Sequence, residues 1–212
     1  MEKPLLLLDF DGVIADTFRI GHSVAQKVCS FITETDYRAY HEENIVERIR
    51  KVRATDHGDR CDHALDWLGE YLPEFNLHAK PFAEMPELLR EFSKTYRLII
   101  VSSTHNDLIR AFLHTYRMQD GIEDVYGLET NARKDEKFRA IFAKYDIAPE
   151  QTIFVTDTLG DINEATTVDL RSIGVTWGFQ DRHTLSRGNP FRIVDTPQEL
   201  PKAVSDYFAS AT

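Results

Sequence analysis

Leu5-Leu6-Leu7-Leu8-Asp9-Phe10-Asp11-Gly12-Val13 is the stretch on which the fold turns. Four consecutive leucines lack the polar alternation of a strand with one wet face, so they read as a strand buried on both faces, as in a parallel sheet. The apolar run stops at Asp9, too short for a signal-peptide core or a membrane span. Side chains at i and i+2 project to the same side of an extended backbone, so Asp9 and Asp11 leave the strand end as a pair aimed into one space. Adjacent carboxylates repel unless a cation neutralises them or one keeps its proton, and both outcomes serve catalysis. Gly12 permits a tight turn immediately afterwards.

Further short apolar runs recur at Leu98–Val101, Ile153–Val155, Ile173–Val175 and Ile193–Val194. Between them lie helical patterns. In 135–145 the apolar residues Phe138, Ile141, Phe142 and Tyr145 fall on one face. Stretches 85–92 and 108–116 behave alike, and Leu200, Val204 and Phe208 predict a last helix opening at Pro197. Strands alternating with helices imply right-handed βαβ units and an open parallel sheet, with ligands at the carboxyl ends of the strands. Residues 17–81 break the rhythm: helical stretches at 24–31 and 63–71 and no strand run, with Pro73, Pro81 and Pro86 punctuating the return. The expected organisation is an α/β core of 1–16 and 82–212 with an inserted helical cap of 17–81.

The chain has 212 residues, enough for such a core with an insert. Its hydrophobic share of 42% and charged share of 28% exclude disordered and fibrous classes. A net charge of −10 repels phosphate backbones and anionic lipid, so neither nucleic acid nor a membrane is an expected partner. An anionic ligand would need local positive charge from a metal or a few placed cations. Two cysteines, Cys29 and Cys61, in no CxxC pair, argue against a disulfide framework and for a reducing cytoplasm.

The later strand ends supply the rest of a constellation. Leu98–Val101 runs into Ser102-Ser103-Thr104, hydroxyls opening a helix whose free N–H groups favour an anion. Lys134 opens the helix over 135–145, where a cation opposes the helix dipole and so has another task. Ile153–Val155 runs into Thr156-Asp157-Thr158-Leu159-Gly160-Asp161, two more carboxylates after a strand. A hard oxygen site for Mg²⁺ beside a hydroxyl and an ammonium is what phosphoryl transfer requires.

These residues resemble the haloacid dehalogenase superfamily, in its phosphatase branch and close to the phosphoglycolate-phosphatase-like members. Its first motif matches Asp9-Phe10-Asp11-Gly12-Val13, its second Ser102, its third Lys134 in preference to Lys137, and its fourth Asp157 and Asp161. The resemblance implies a Rossmannoid three-layer core with an all-α cap. It implies Asp9 as nucleophile, Asp11 as general acid and base, and Ser102, Ser103 and Lys134 as phosphoryl-binding groups. Mg²⁺ would be held by Asp9, Asp157 and the Asp11 backbone carbonyl, with Asp161 in support. The implied substrate is a small phosphorylated metabolite, and a closing cap would choose it. A phosphomutase of the same superfamily shares every core residue, but the cap histidine of the sugar-phosphate mutases corresponds here to Gly21, with His22 next. A non-catalytic phosphoryl-binding module is the other alternative, against which the intact motif set argues. Arg48, Arg50, Lys51 and Arg53 read as a solvated helix face rather than an anion site. The alternation His57, Asp59, Cys61, His63 lacks zinc-ligand spacing.

Overall fold

The computed structural model describes residues 3–55, 60–62, 64–130 and 133–210. Strand β1 (Leu5–Leu8) is wholly buried, each leucine gaining roughly 1.5–3 kcal/mol from burial. It pairs in parallel with β4 (Arg97–Val101) on one side and β6 (Thr152–Thr156) on the other. The sheet has six parallel strands in the order β5-β4-β1-β6-β7-β8, where β5 is Ile122–Tyr126, β7 is Arg171–Val175 and β8 is Arg192–Val194. Alternate residues of the strands feed two separate cores. Leu6, Leu8, Ile100 and Val155 pack beneath α5 (Met85–Thr95), α6 (Asn106–Thr115) and α10 (Leu200–Ser210), whereas Leu5, Leu7, Ile99 and Phe154 pack beneath α7 (Lys134–Tyr145) and α8 (Leu159–Thr166). That is the expected three-layer α/β core.

Registers Leu8↔Ile100 and Leu8↔Val155 bring the three central strands to an end together. Asp9 extends the ladder by one bond, its N–H donating to the Val155 carbonyl at 2.9 Å. The chain then turns sharply, with Ile14 N and Ala15 N both donating to the Phe10 carbonyl and Gly12 at φ +71°. A two-residue strand β2 (Ala15–Asp16) pairs antiparallel with β3 (Lys80–Pro81). Between them lie α1 (Phe18–Val28), α2 (Glu34–Tyr40), α3 (Ile45–Ala54) and α4 (Trp67–His78). Pro73, expected as punctuation, sits inside α4 on an exposed face, where water can take up the carbonyl that its missing N–H leaves unpaired.

Strand β5 escaped the sequence reading because it is an edge strand with polar interruptions. Glu123 pairs with Arg97, and Asp124 with Lys144 and Arg110, so only Val125 and Tyr126 are buried. A second correction concerns the cysteines: Cys29 and Cys61 form a disulfide. They lie 32 residues apart, and an isolated antiparallel bridge at the end of α1 brings their Cα atoms to 4.0 Å. Two cysteines without a motif thus make one cross-link, and the argument from their count to a reducing cytoplasm loses its premise. Of the four alternating residues weighed as a metal site, His57, Asp59 and His63 lie outside the described residues, and Cys61 is spent on the disulfide. Closing a loop of this length is worth ~3–4 kcal/mol to the folded state. Cys29→Ser, or incubation of the wild-type protein with dithiothreitol, should lower the unfolding midpoint by several degrees; an unchanged midpoint would mean that the cross-link contributes nothing in solution.

Candidate active site

The strand ends surround a cavity of about 350 Å³, with Asp9, Asp11, Lys134, Asp157 and Asp161 among its lining. Asp9 is buried; its Oδ1 accepts the Phe10 N–H at 2.7 Å and its Oδ2 the Lys134 ammonium at 2.5 Å. Lys134 stands at the first position of α7, which follows the loop after β5, and its Nζ also donates to Asp161 Oδ2 at 2.7 Å. Asp161 accepts a second bond from Thr156 Oγ1 at 2.9 Å. Burial alone would raise the Asp161 carboxyl, but the ammonium and these bonds hold it down at about 2. The same two carboxylates keep Lys134 charged despite its burial. For Asp9, burial is the largest influence and pushes the carboxyl well up, with Lys134 opposing and Asp161 and Asp157 adding to the rise.

Asp11 lies in a ring of hydroxyls. Thr17 Oγ1 donates to Oδ1 at 2.8 Å and Thr104 Oγ1 to Oδ2 at 2.7 Å, while Ser102 Oγ at 3.2 Å and Tyr71 OH at 3.4 Å are longer. Thr17 opens α1 and Tyr71 belongs to α4, so the inserted helices touch Asp11 directly. Ser103 lines the cavity beside them. The Ser102 carbonyl accepts a bond at 2.5 Å from Lys137, which is fully buried. Burial, reinforced by the neighbouring Lys134 ammonium, brings the Lys137 amine down to about 8. Lys134 therefore reaches Asp9, and Lys137 braces the strand end behind Ser102.

Asp157 is 1% exposed, and its Oδ2 accepts the Phe179 N–H at 2.7 Å. Its Oδ1 is buried with no hydrogen-bond partner. A Cβ on Gly12 would fall 1.9 Å from Asp157 Oδ2 and one on Gly178 2.3 Å from it, so both positions must lack a side chain for the carboxylate to sit there. Burial drives this carboxyl up to about 7. An orphaned carboxylate oxygen beside a second buried carboxylate is a donor set short of a cation. Among the described residues no three His, Cys, Asp or Glu side chains form a ready cage. Mg²⁺ takes one or two carboxylates and keeps several waters, so it does not require such a cage. Asp9 and Asp157 with the Asp11 carbonyl are the groups that could hold it; Asp9, like Asp161, is bonded to Lys134 here.

The basic cluster divides. Arg48 pairs with Glu43 and lies over Tyr40, and Lys51 binds Glu43 at 3.0 Å, whereas Arg50 and Arg53 line the cavity. At the mutase position, Gly21 lines the cavity, but His22 is not in its lining and meets the Ile32 carbonyl at 3.2 Å. His41 was not singled out. It also lines the cavity, with a buried, unpartnered Nε2 and an imidazole that burial lowers to about 4.

Glu164 was missed too, for it carries no motif. Its Oε2 accepts the Lys134 N–H at 2.6 Å and its Oε1 the Asn44 side-chain amide at 2.7 Å. Asn44 in turn caps α3, its Oδ1 accepting from Glu47 N. Close by, the Gly160 N–H donates to the His41 carbonyl at 3.1 Å. One buried carboxylate thus ties the helix that begins with Lys134 to the inserted helices.

The haloacid dehalogenase-like hydrolase family matches residues 6–175, most of the chain. The protein belongs to that family. It is similar to the phosphoglycolate phosphatase of Synechococcus elongatus, 27% identical over 209 residues that cover 94% of this chain and 96% of the relative. The structure of a predicted phosphatase from Clostridium acetobutylicum superposes with a TM-score of 0.76 at 18% identity, covering 97% of this chain and 100% of that one. CbbY from Rhodobacter sphaeroides, in complex with phosphate, gives 0.71 at 18% identity, covering 94% of this chain and 96% of that one. At such identities the two structures show the shared fold. Among the described residues no helix is long and apolar enough to cross a membrane.

The Asp157 carboxyl holds its proton more tightly in the folded protein, at about 7, than in the unfolded chain, near 3.8. Without metal it therefore subtracts stability as pH rises through that interval, and in full above it. Asp157→Asn should raise the unfolding midpoint of the metal-free protein at pH 8, with the gain shrinking towards pH 5. Equal midpoints for both proteins at every pH would contradict this account of the carboxylate.

Proposed function

We propose that this hydrolase is a Mg²⁺-dependent phosphatase that cleaves a small phosphomonoester through an aspartyl phosphate on Asp9. The observation that carries the reading is the convergence of Asp9, Asp11, Lys134 and Asp157 on one cavity at the strand ends. Asp9 attacks phosphorus in line, and the P–O bond to the alcohol breaks as the bond to the carboxylate forms. Asp11, held by hydroxyls on both oxygens, gives its proton to the leaving alkoxide. It then takes one from the water that hydrolyses the acyl phosphate. Lys134 offers its charge to the phosphoryl oxygens beside Asp9, fixed there by Asp161, and Ser103 in the cavity lining offers a hydroxyl, whereas the Ser102 hydroxyl, fully buried and outside the lining, is turned to Asp11. Bound Mg²⁺, on Asp9, Asp157 and the Asp11 carbonyl, supplies the neutralisation that lets a phosphate dianion approach a carboxylate.

In this reading residues 17–81 are a cap hinged at the β2–β3 pair, closing over the site on the core of 1–16 and 82–212. Closure would exclude water from the departing alcohol and bring Tyr71 and Thr17 to Asp11. A small soluble substrate follows from such a lid, and the name of the Synechococcus relative puts phosphoglycolate on the list to be tried. We retain the cytoplasm as the proposed setting for a small phosphorylated metabolite, where the Cys29–Cys61 pair would be exposed to reductant.

Phosphate release from a panel of small phosphomonoesters, with and without Mg²⁺, tests the proposal. Release should require Mg²⁺ and fall by roughly three orders of magnitude or more in Asp9→Asn. Mg²⁺ alone should raise the unfolding midpoint of the wild type and leave Asp157→Asn unmoved. Metal-independent release, or full activity in Asp9→Asn, would overturn the mechanism; isomerised sugar phosphates without free phosphate would point to a mutase.

A further inference from the structure

The carboxylates and Lys134 are only part of the cavity lining: α3 contributes Ile45 and Ile49, α4 contributes Trp67 and Leu68, and the core side contributes Leu108 and Leu128. Trp67 lies one turn before Tyr71, their rings stacked at 15° with centroids 6.3 Å apart, so the apolar wall runs down to the residue that touches Asp11. A cavity of about 350 Å³ is many times the ~10–15 Å³ that a single water needs, so it has room for a body beyond the phosphoryl group. The remaining space is bounded mostly by hydrocarbon among the described residues.

A short, charged alcohol moiety matches this half of the cavity poorly. A carboxylate placed against these side chains would give up hydration without a donor to replace it. Lys134 is committed to Asp9 and Asp161. Arg50 and Arg53 line the cavity as well, but both are exposed, and a guanidinium in water adds little to the holding of an anion; the buried His41 Nε2 belongs to an imidazole that burial keeps uncharged. An apolar body, by contrast, would cover the wall and displace water from it.

We propose that these side chains form the leaving-group subsite, and that the preferred substrate is the phosphomonoester of an alcohol with a ring-sized apolar body rather than a short hydroxy-acid phosphate such as phosphoglycolate. The inference rests on the phosphatase reading of the same site.

Benzyl phosphate and phosphoglycolate are both esters of primary alcohols, so their comparison isolates the subsite from the chemistry. With Mg²⁺ present, kcat/KM for benzyl phosphate should exceed that for phosphoglycolate by at least about tenfold, the discrimination that a few apolar contacts supply. Ile49→Asn and Leu68→Ser should each shrink that ratio severalfold, chiefly through KM for benzyl phosphate. Benzylphosphonate, which cannot be hydrolysed, should protect the wild-type protein against thermal unfolding more than phosphonoacetate does. Phosphate release that favours phosphoglycolate, and loses that preference in Arg50→Ala, would overturn the apolar subsite while leaving the phosphatase reading intact. Protection by benzylphosphonate with no hydrolysis of any ester would uphold the subsite and overturn the phosphatase reading. Neither protection nor a preference for benzyl phosphate would overturn the subsite.

Discussion

A buried ammonium between two carboxylates organises this molecule. Lys134, 2% exposed, can stay charged only because Asp9 and Asp161 both reach it. Taking such a charge out of water costs several kcal/mol unless every proton on it is well placed, and removing one partner leaves an uncompensated charge in the interior. Asp9 follows the end of β1, Asp161 lies in the first turn of α8 after the adjacent strand β6, and the lysine opens a helix on one face of the sheet. The parallel registers are what make these ends meet. Glu164 extends the constraint outward, since the same carboxylate that receives the Lys134 N–H receives the Asn44 amide from the inserted helices. Those helices are thus linked to the backbone of Lys134 through two hydrogen bonds.

The electrostatics of the site compound those of the whole protein. A chain with net charge −10 gathers further carboxylates at its strand ends, an arrangement that repels a phosphate dianion. Asp157 expresses the imbalance most directly, with one oxygen unpaired and a carboxyl driven up by burial. Gly12 and Gly178 surrender their side chains to let it sit there. In the proposed mechanism a divalent cation relieves this charge, and Lys134 completes the positive face towards substrate. Selectivity then passes to the apolar part of the cavity lining.

Much of this architecture is legible in the chain because it is written in continuous local patterns. Unalternating runs such as Leu5–Leu8 and Ile153–Val155 read as strands buried on both faces, and the residues that follow each run fall at the ligand end of a parallel sheet. Asp9, Asp11, Ser102 and Asp157 follow such runs, whereas Lys134 follows the unread strand β5 and stood out only as a cation opening a helix. Features that depend on distant partners left no such trace. Strand β5 is polar at the sheet edge because its charges are matched by Arg97 and Lys144 on other elements. Glu164 looks like any helix glutamate until Asn44, far away in sequence, is brought beside it. The Cys29–Cys61 bond joins segments whose proximity only the packed helices establish, and Arg50 parts from Arg48 and Lys51 by which side of α3 each occupies.

The central claim is that Asp9 is the atom donor to phosphorus, with Asp11 governing what happens next. The direct measurement is acid-quenched mass spectrometry of the protein mixed with Mg²⁺ and a hydrolysable ester, in the wild type and in Asp11→Asn. The account predicts a phosphoryl adduct on the peptide containing Asp9, scarce in the wild type and accumulated in Asp11→Asn, where water lacks its base. Turnover with no adduct on that peptide in either protein, or an adduct on another residue, would contradict it.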